Sequence, residues 1–559
     1  MNGDEQDPPG RTHAARYRQI GSALRRHGLG MLWGVLGLDR TFRGAQGSAG
    51  SAVRELTAEA PVHLRAALEE LGPTFIKLGQ LLSTRSDLLP PAFVTELAKL
   101  QDAAPPVPVT LIRDVIRSEL GASPEKIFAS FDDRPLASAS IGQAHGATLA
   151  DGTSVVVKVR RPDAVSLVQT DLEILQNLAV RATRTWQFAR DVDVVAIVDE
   201  FVATIRAELD YLEEGRNAER FARDFEEDAS VIIPRIYWEH TTSRVLTLER
   251  MEGINVADVD ALDDAHVDRN LVARRGADIV LKMIFEDRFF HADLHPGNLF
   301  IHPDGAIALI DFGMVGVIGE ELRGHLSRLF IGMVRGDVEL LASALIDVSV
   351  TGASVDRLTL RDDLRPFLAR YQLRSVRQTP FAPMMGDLFT LLRANRVRLP
   401  REMMLLFKAL LLIEALAMRL DPDFRLGEAL GPYAERLAWE RLRASAIAKR
   451  LARASIDVGE LALDLPGVVR RLVDAADTTG IQVHLRAAEL EPLVGRAERI
   501  GTRLVAGMIG AALISGIGGL VSSDRRWGAW RGTMVGAGLG AIGALGAYLS
   551  WTARHRRFR

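Results

Sequence analysis

Between Phe289 and Gly313 the chain reads FFHADLHPGNLFIHPDGAIALIDFG, and this window gathers His291, Asp293, Asn298 and Asp311. Asp293 and Asn298 are five residues apart, and Asp311 follows thirteen later at the head of an Asp-Phe-Gly triplet. An H-x-D-x-x-x-x-N loop followed by that triplet is the pattern of kinase-type phosphoryl transfer. In that layout Asp293 faces the attacking hydroxyl or water. Asn298 and Asp311 offer the hard oxygen donors that Mg²⁺ takes when it bridges the phosphates of ATP. A lone triplet occurs by chance; the ordered set at this spacing is a much stronger signal.

Such a site needs a strand lysine for the phosphates, a glutamate to orient that lysine, and a loop whose backbone can approach phosphate. Asp151-Gly152 between apolar runs signals a hairpin, and Val155-Val156-Val157-Lys158 then places one lysine in a β-branched strand. Upstream, LASASIGQAH (Leu136 to His145) stands where the phosphate loop belongs. It has one glycine, Gly142, and the small residues Ala137, Ser138, Ala139 and Ser140, so it is stiffer than a G-x-G-x-x-G loop. A helical pattern from Val194 to Phe221 carries Glu208, the expected partner of Lys158, beside the apolar stripe Ile205, Leu209, Leu212. Glu213 and Glu214 read as a solvated charged face. Glu249 to Gly253 resembles a hinge between lobes. Past Gly313 the chain passes almost at once into helix, without Ala-Pro-Glu and without the long segment that cradles a peptide substrate.

Before these elements, the helical stretch LGPTFIKLGQLLSTRSDLLP carries Lys77, Gly79 and Gln80 as K-x-G-Q, with Lys77 and Gln80 on one helix face. Composition alone favours a surface lysine and a glycine that admits a close neighbour. Further upstream, Arg16 to Leu38 alternates arginines with Ile20, Leu24, Leu29, Leu32 and Trp33. It suits either a basic amphipathic element on an anionic membrane or a helix packed on the next domain.

Composition narrows the class. The 559 residues suffice for two or three domains, and a net charge of -3 gives no basic excess for nucleic acid. With no cysteine, disulfides, thiolate catalysis and Cys-ligated zinc are excluded. The first residues, MNGDEQDPPG, lack a signal peptide's apolar core. Leu504 to Val521 and Met534 to Trp551 are uncharged apolar runs of near-spanning length, with Gly536 and Gly540 at G-x-x-x-G spacing. A short link makes them a transmembrane hairpin. The flanking arginines place both outer ends in the cytoplasm, where ATP is found.

These signals together resemble the UbiB/AarF family of atypical kinase-like ATPases. The residues that carry the resemblance are KLGQ (Lys77 to Gln80), ASASIGQ (Ala137 to Gln143), ELD (Glu208 to Asp210), HADLHPGN (His291 to Asn298) and DFG (Asp311 to Gly313). It covers roughly residues 60 to 500. The resemblance implies an α+β, kinase-like two-lobed fold with an N-terminal helical extension and two C-terminal transmembrane helices. In domains, that is 1–60 tail, basic helix and linker; 61–126 extension; 127–255 small lobe with a helical insertion; 256–500 helical large lobe; 504–551 membrane hairpin; and 552–559 basic tail.

It further implies that the K-x-G-Q segment folds over the site and excludes protein substrates. ATP would be bound by Ala137, Ser138, Ala139, Ser140, Ile141, Gly142, Gln143, Lys158, Lys77 and Gln80, with Mg²⁺ on Asn298 and Asp311. Lys158, Glu208 and Asp293 would be catalytic. The expected setting is ubiquinone or other isoprenoid-quinone biosynthesis at the bacterial inner membrane, with membrane lipids, quinone intermediates or quinone-biosynthesis enzymes as partners. A lipid or small-molecule kinase and a nucleotide-sensing scaffold are the alternatives.

Overall fold

The computed structural model describes residues 9–29, 59–100, 104–162, 164–191, 193–350, 355–372 and 381–442. All belong to the first of two compact units, Met1–Ile447. The expected membrane hairpin at 504–551 and the basic tail lie outside the described residues. Among the described residues no helix is long and apolar enough to cross a membrane.

The N-terminal extension is helical: α1 (Pro9–Arg26), α2 (Ala60–Leu71), α3 (Pro73–Ser83), α4 (Pro91–Leu97) and α5 (Val109–Leu120). On α1, Ile20 and Ala23 are buried, and Arg16 forms a two-pronged ion pair with the fully buried Asp171 at 2.6 and 2.8 Å. Of the two readings of this basic segment, the structure adopts the packed helix over Pro9–Arg26. The glycine of K-x-G-Q also has a packing reason: a Cβ at Gly79 would lie 2.2 Å from the Leu100 side chain and 2.8 Å from that of Leu68. The bland sequence reading holds for that residue.

The small lobe is an antiparallel sheet in the order β1-β2-β3-β5, from β1 (Ser130–Ser138), β2 (Gly142–Thr148), β3 (Ser154–Arg160) and β5 (Val245–Glu249). Side chains alternate between the faces of a strand. Val155, Val157 and Val159 therefore pack as one buried row with Ile112, Val115 and Ile116 of α5, and Lys158 is left on the opposite face.

Between β3 and β5 come α6 (Ala164–Thr185), α7 (Val194–Glu208), α8 (Tyr211–Asp224) and the two-residue β4 (Val231–Ile232). The helix expected to run unbroken from Val194 to Phe221 is two helices. Asp210 adopts extended backbone and its side chain accepts from the Leu212 N–H at 3.1 Å, an N-cap that starts a new helix. The break divides two cores. Phe201, Val202, Ile205 and Leu209 pack with the extension, whereas Tyr211, Ala218 and Phe221 pack with the large lobe.

The large lobe opens with β6 (Ile254–Asn255), α9 (Arg269–Lys282), β7 (Phe289–His291), β8 (Leu299–Ile301), β9 (Ile307–Leu309) and β10 (Val315–Val317). Strands β4, β9, β8 and β6 form one small sheet, and β10 pairs with β7 in another. Helices α10 (Glu320–Arg335), α11 (Val338–Val348), α12 (Arg357–Gln372), α13 (Phe381–Ala394), α14 (Arg401–Leu420) and α15 (Leu426–Leu442) follow, with α14 packed on α9. Only six residues separate Gly313 from the start of α10 at Glu320, so no peptide-cradling segment follows the Asp-Phe-Gly triplet.

Candidate active site

The opening window folds back on itself through the antiparallel pair β8–β9, while β7 pairs with β10 beyond the triplet. His291 ends β7, Asn298 immediately precedes β8, and Asp311 follows β9. His291 is buried and joins the two halves. Its Nδ1 accepts from the Asp293 N–H at 3.1 Å, and its Nε2 meets the Asp311 carbonyl oxygen. A neutral ring carrying its proton on Nε2 satisfies both, and burial lowers the pKa, favouring that uncharged form. Asn298 Nδ2 donates to the Asp293 carbonyl oxygen at 3.2 Å, which leaves the amide oxygen of Asn298 as its acceptor.

Lys158 crosses from the small lobe to this loop. Its ammonium lies 2.5 Å from Glu214, donates to the Ile310 carbonyl at 3.4 Å, and stands 3.8 Å from an Asp311 oxygen. Burial alone would depress the Lys158 pKa, but Asp311 and Glu214 outweigh it and hold the group above an ordinary lysine. Burial likewise opposes ionisation of Asp311. Lys158 and the Gly313 N–H, which reaches Asp311 Oδ1 at 3.0 Å, overcome it and bring the carboxyl to about 2. Asp293 is also held below the usual carboxylate range against its burial, by Lys408 at 2.8 Å.

The expected Lys158–Glu208 pair is not formed. Glu208 ends α7 and pairs with Lys77 at 3.1 Å, while Glu214, one turn into α8, takes Lys158. The signal for Glu214 was present in the sequence: Tyr211, Glu214, Gly215, Ala218 and Phe221 make a helical stripe, and all five are buried. Asn217 on the same helix donates to the Phe312 carbonyl at 3.0 Å, tying α8 to the triplet.

The phosphate-loop candidates separate. Ala137 and Ser138 end β1, Ala139, Ser140 and Ile141 make the turn, and Gly142 and Gln143 begin β2. Arg161 holds the turn from outside, donating to the Ala139 carbonyl and the Ser138 hydroxyl, each at 2.9 Å. Ile141 is buried in the core of the extension. Gln143 pairs in register with Val159, so its side chain shares the face turned away from Lys158, where it accepts from the Val107 N–H. Its expected cofactor contact is corrected on that ground. Gly142 lies on the Lys158 face, and a Cβ there would stand 2.2 Å from the Tyr211 hydroxyl.

Of the K-x-G-Q polar pair, Gln80 donates to the Leu100 carbonyl at 3.1 Å and thus braces the extension itself. Lys77 lies close enough to Asp311 to help keep it ionised. For the metal, Asn298 and Asp311 fit Mg²⁺: both are oxygen donors, and Asp311 is held in its ionised form, with Lys158 3.8 Å away. Among the described residues no cluster of three or more acidic, histidine or cysteine ligands exists. Two protein ligands with the remaining positions left to phosphate and water are the habit of Mg²⁺. Sequence reasoning missed Lys408, which stands in the apolar run MLLFKALLL of α14, where a single charge called for a partner.

A sheet lysine paired to a helix glutamate, set over an H-x-D-x-x-x-x-N loop and an Asp-Phe-Gly triplet, defines a kinase-like protein. The ABC1 atypical kinase-like domain matches residues 99–345, and the UbiB helical domain matches 364–425. An uncharacterized protein of Synechocystis is 34% identical over 448 residues, 79% of this chain and 77% of its own. The probable protein kinase UbiB of Pseudomonas putida is 34% identical over 485 residues, 85% and 88% of the two chains. The chloroplastic ACTIVITY OF BC1 COMPLEX KINASE 7 of Arabidopsis thaliana is 33% identical over 483 residues, 85% and 69%. The chain belongs to the UbiB family of ABC1 atypical kinase-like proteins.

Proposed function

We propose that this protein is a Mg²⁺-dependent, kinase-like ATPase that supports ubiquinone or another isoprenoid-quinone pathway. It acts on or with lipids or quinone intermediates, or with the enzymes that make them, rather than on proteins. The observation that carries the reading is the convergence of Lys158, Glu214, Asp293, Asn298 and Asp311 on one cleft. Lys158 holds phosphate, Glu214 orients Lys158, Asn298 and Asp311 hold Mg²⁺, and Asp293 orients or deprotonates the attacking group. The small residues Ala137, Ser138, Ala139, Ser140 and Gly142 let backbone amides approach phosphate. The apolar runs at 504–551 anchor the chain in the bacterial inner membrane with this unit on the cytoplasmic side.

The short link from Gly313 to α10 also suits a small or lipid acceptor, so transfer is the second reading. Radiolabelled ATP supplied with membrane lipid extract separates the two: free phosphate alone marks hydrolysis, and label retained on a lipid marks transfer. Asp311→Asn is expected to lower either activity by at least about 100-fold, since it removes metal-held charge stabilisation. Turnover at the wild-type rate in that variant would overturn the proposal.

A further inference from the structure

The cation in direct contact with Asp293 does not come from the catalytic loop. Two residues on stands His295, which is exposed, and its Nδ1 is engaged by the Gly297 N–H at 3.0 Å. The direct cation partner arrives instead from far down the chain. Lys408 Nζ lies 2.8 Å from Asp293 Oδ1, across 115 residues of sequence, and 4.0 Å from the sulfur of Met314 just past the triplet.

The placement of Lys408 is costly for a residue without a task. On α14 its neighbours Met403 to Phe407, Ala409 and Leu410 are all buried, and an ammonium among apolar side chains is unfavourable unless paired. Its residue type is also informative. Only seven of the 69 basic residues in the chain are lysines, yet Lys77, Lys158 and Lys408 all stand around this cleft. An ammonium is a compact charge with three donors. It can hold one carboxylate oxygen through a single proton.

We propose that Lys408 is a positioning residue for phosphoryl transfer, a part of the helical domain that aims the Asp293 carboxylate at the attacking hydroxyl or water. This rests on the ATPase reading above. It also makes the helical domain a component of the chemistry: displacement of α14 relative to β7 would carry the cation away from Asp293.

The test is steady-state ATP turnover by the full chain with Lys408→Met, Lys408→Arg, Asp293→Asn and the Lys408→Met/Asp293→Asn double variant, with melting temperature as a check on folding. Lys408→Met is expected to lower kcat about 30-fold or more while KM for ATP stays within about threefold, because the phosphate-holding groups are elsewhere. Lys408→Arg should recover kcat to within about tenfold of wild type, and in the Asp293→Asn background Lys408→Met should cost less than about threefold more. Should Lys408→Met lower the melting temperature by more than about 5 °C, Lys408→Gln is read in its place by the same criteria. A kcat within twofold of wild type, a loss that falls equally on KM, no recovery with arginine, or independent losses in the double variant would each overturn the inference. Wild-type protein without turnover would overturn the ATPase reading and this inference together, whereas active wild type with an unaffected lysine variant overturns this inference alone.

Discussion

The molecule contains two lysine–glutamate pairs whose acids are six residues apart and whose bases are 81 apart. Lys77–Glu208 joins α3 to the end of α7, wholly within the helical region around the extension. Lys158–Glu214 joins the small-lobe sheet to α8, whose apolar face belongs to the large-lobe core. Lys158–Glu214, the inner pair, lies against Asp311 and Ile310, and Lys77–Glu208 is the outer pair. The difference comes from two residues of non-helical chain. Leu209 and Asp210 end one helix and cap the next, so two acids that would share one rod are assigned to different bodies.

The comparison is broken most sharply by removing one acid at a time. Glu214→Gln is expected to lower ATP turnover by about 30-fold or more, since Lys158 loses its orienting partner, whereas Glu208→Gln should lower it by less than about threefold. Equal losses in a phosphate-release assay would show that the two pairs do not have separate tasks. A smaller effect tests the outer pair itself. Lys77→Ala and Glu208→Ala should be non-additive in melting experiments, with a coupling of about 1 kcal/mol, because their charges meet in a part-buried contact. Additive losses would dissolve the pair. The smallest effect concerns the break. Asp210→Ala removes the N-cap of α8 and should raise amide exchange across its first turn about fivefold, equivalent to about 1 kcal/mol, while Asp210→Asn keeps the cap and the protection.

The same residues explain how far the sequence could be read. Asp293, Asn298 and Asp311 were legible because their spacing is local: the β8–β9 hairpin brings Asn298 and Asp311 together, and the short loop after β7 carries Asp293 to Asn298. Lys158 was legible because a charge in a run of valines has to emerge on the opposite face of the strand. Glu214 was misread because charge outweighed periodicity: its neighbours at 211, 215 and 218 marked a buried face, but two adjacent glutamates suggested a solvated one. Gln143 was assigned to the nucleotide on its motif, and the register of β2 against β3 turns it the other way. Lys408 could not be connected with Asp293 from sequence, since their contact is formed by the packing of α14 on the lobe and not by chain proximity.

The pairing of β10 with β7 reaches further than its three residues. Val315 opposes His291, Gly316 opposes Phe290 and Val317 opposes Phe289, so the strand leaving the Asp-Phe-Gly triplet is laced to the strand that enters the catalytic loop. Phe312 is buried beside Phe221 and His291 between them. Turning that phenylalanine out would require unzipping the ladder and exposing the rings at once. A compound designed to trap an outward-turned triplet, a familiar route to selective kinase inhibitors, would find no loose hinge here to exploit.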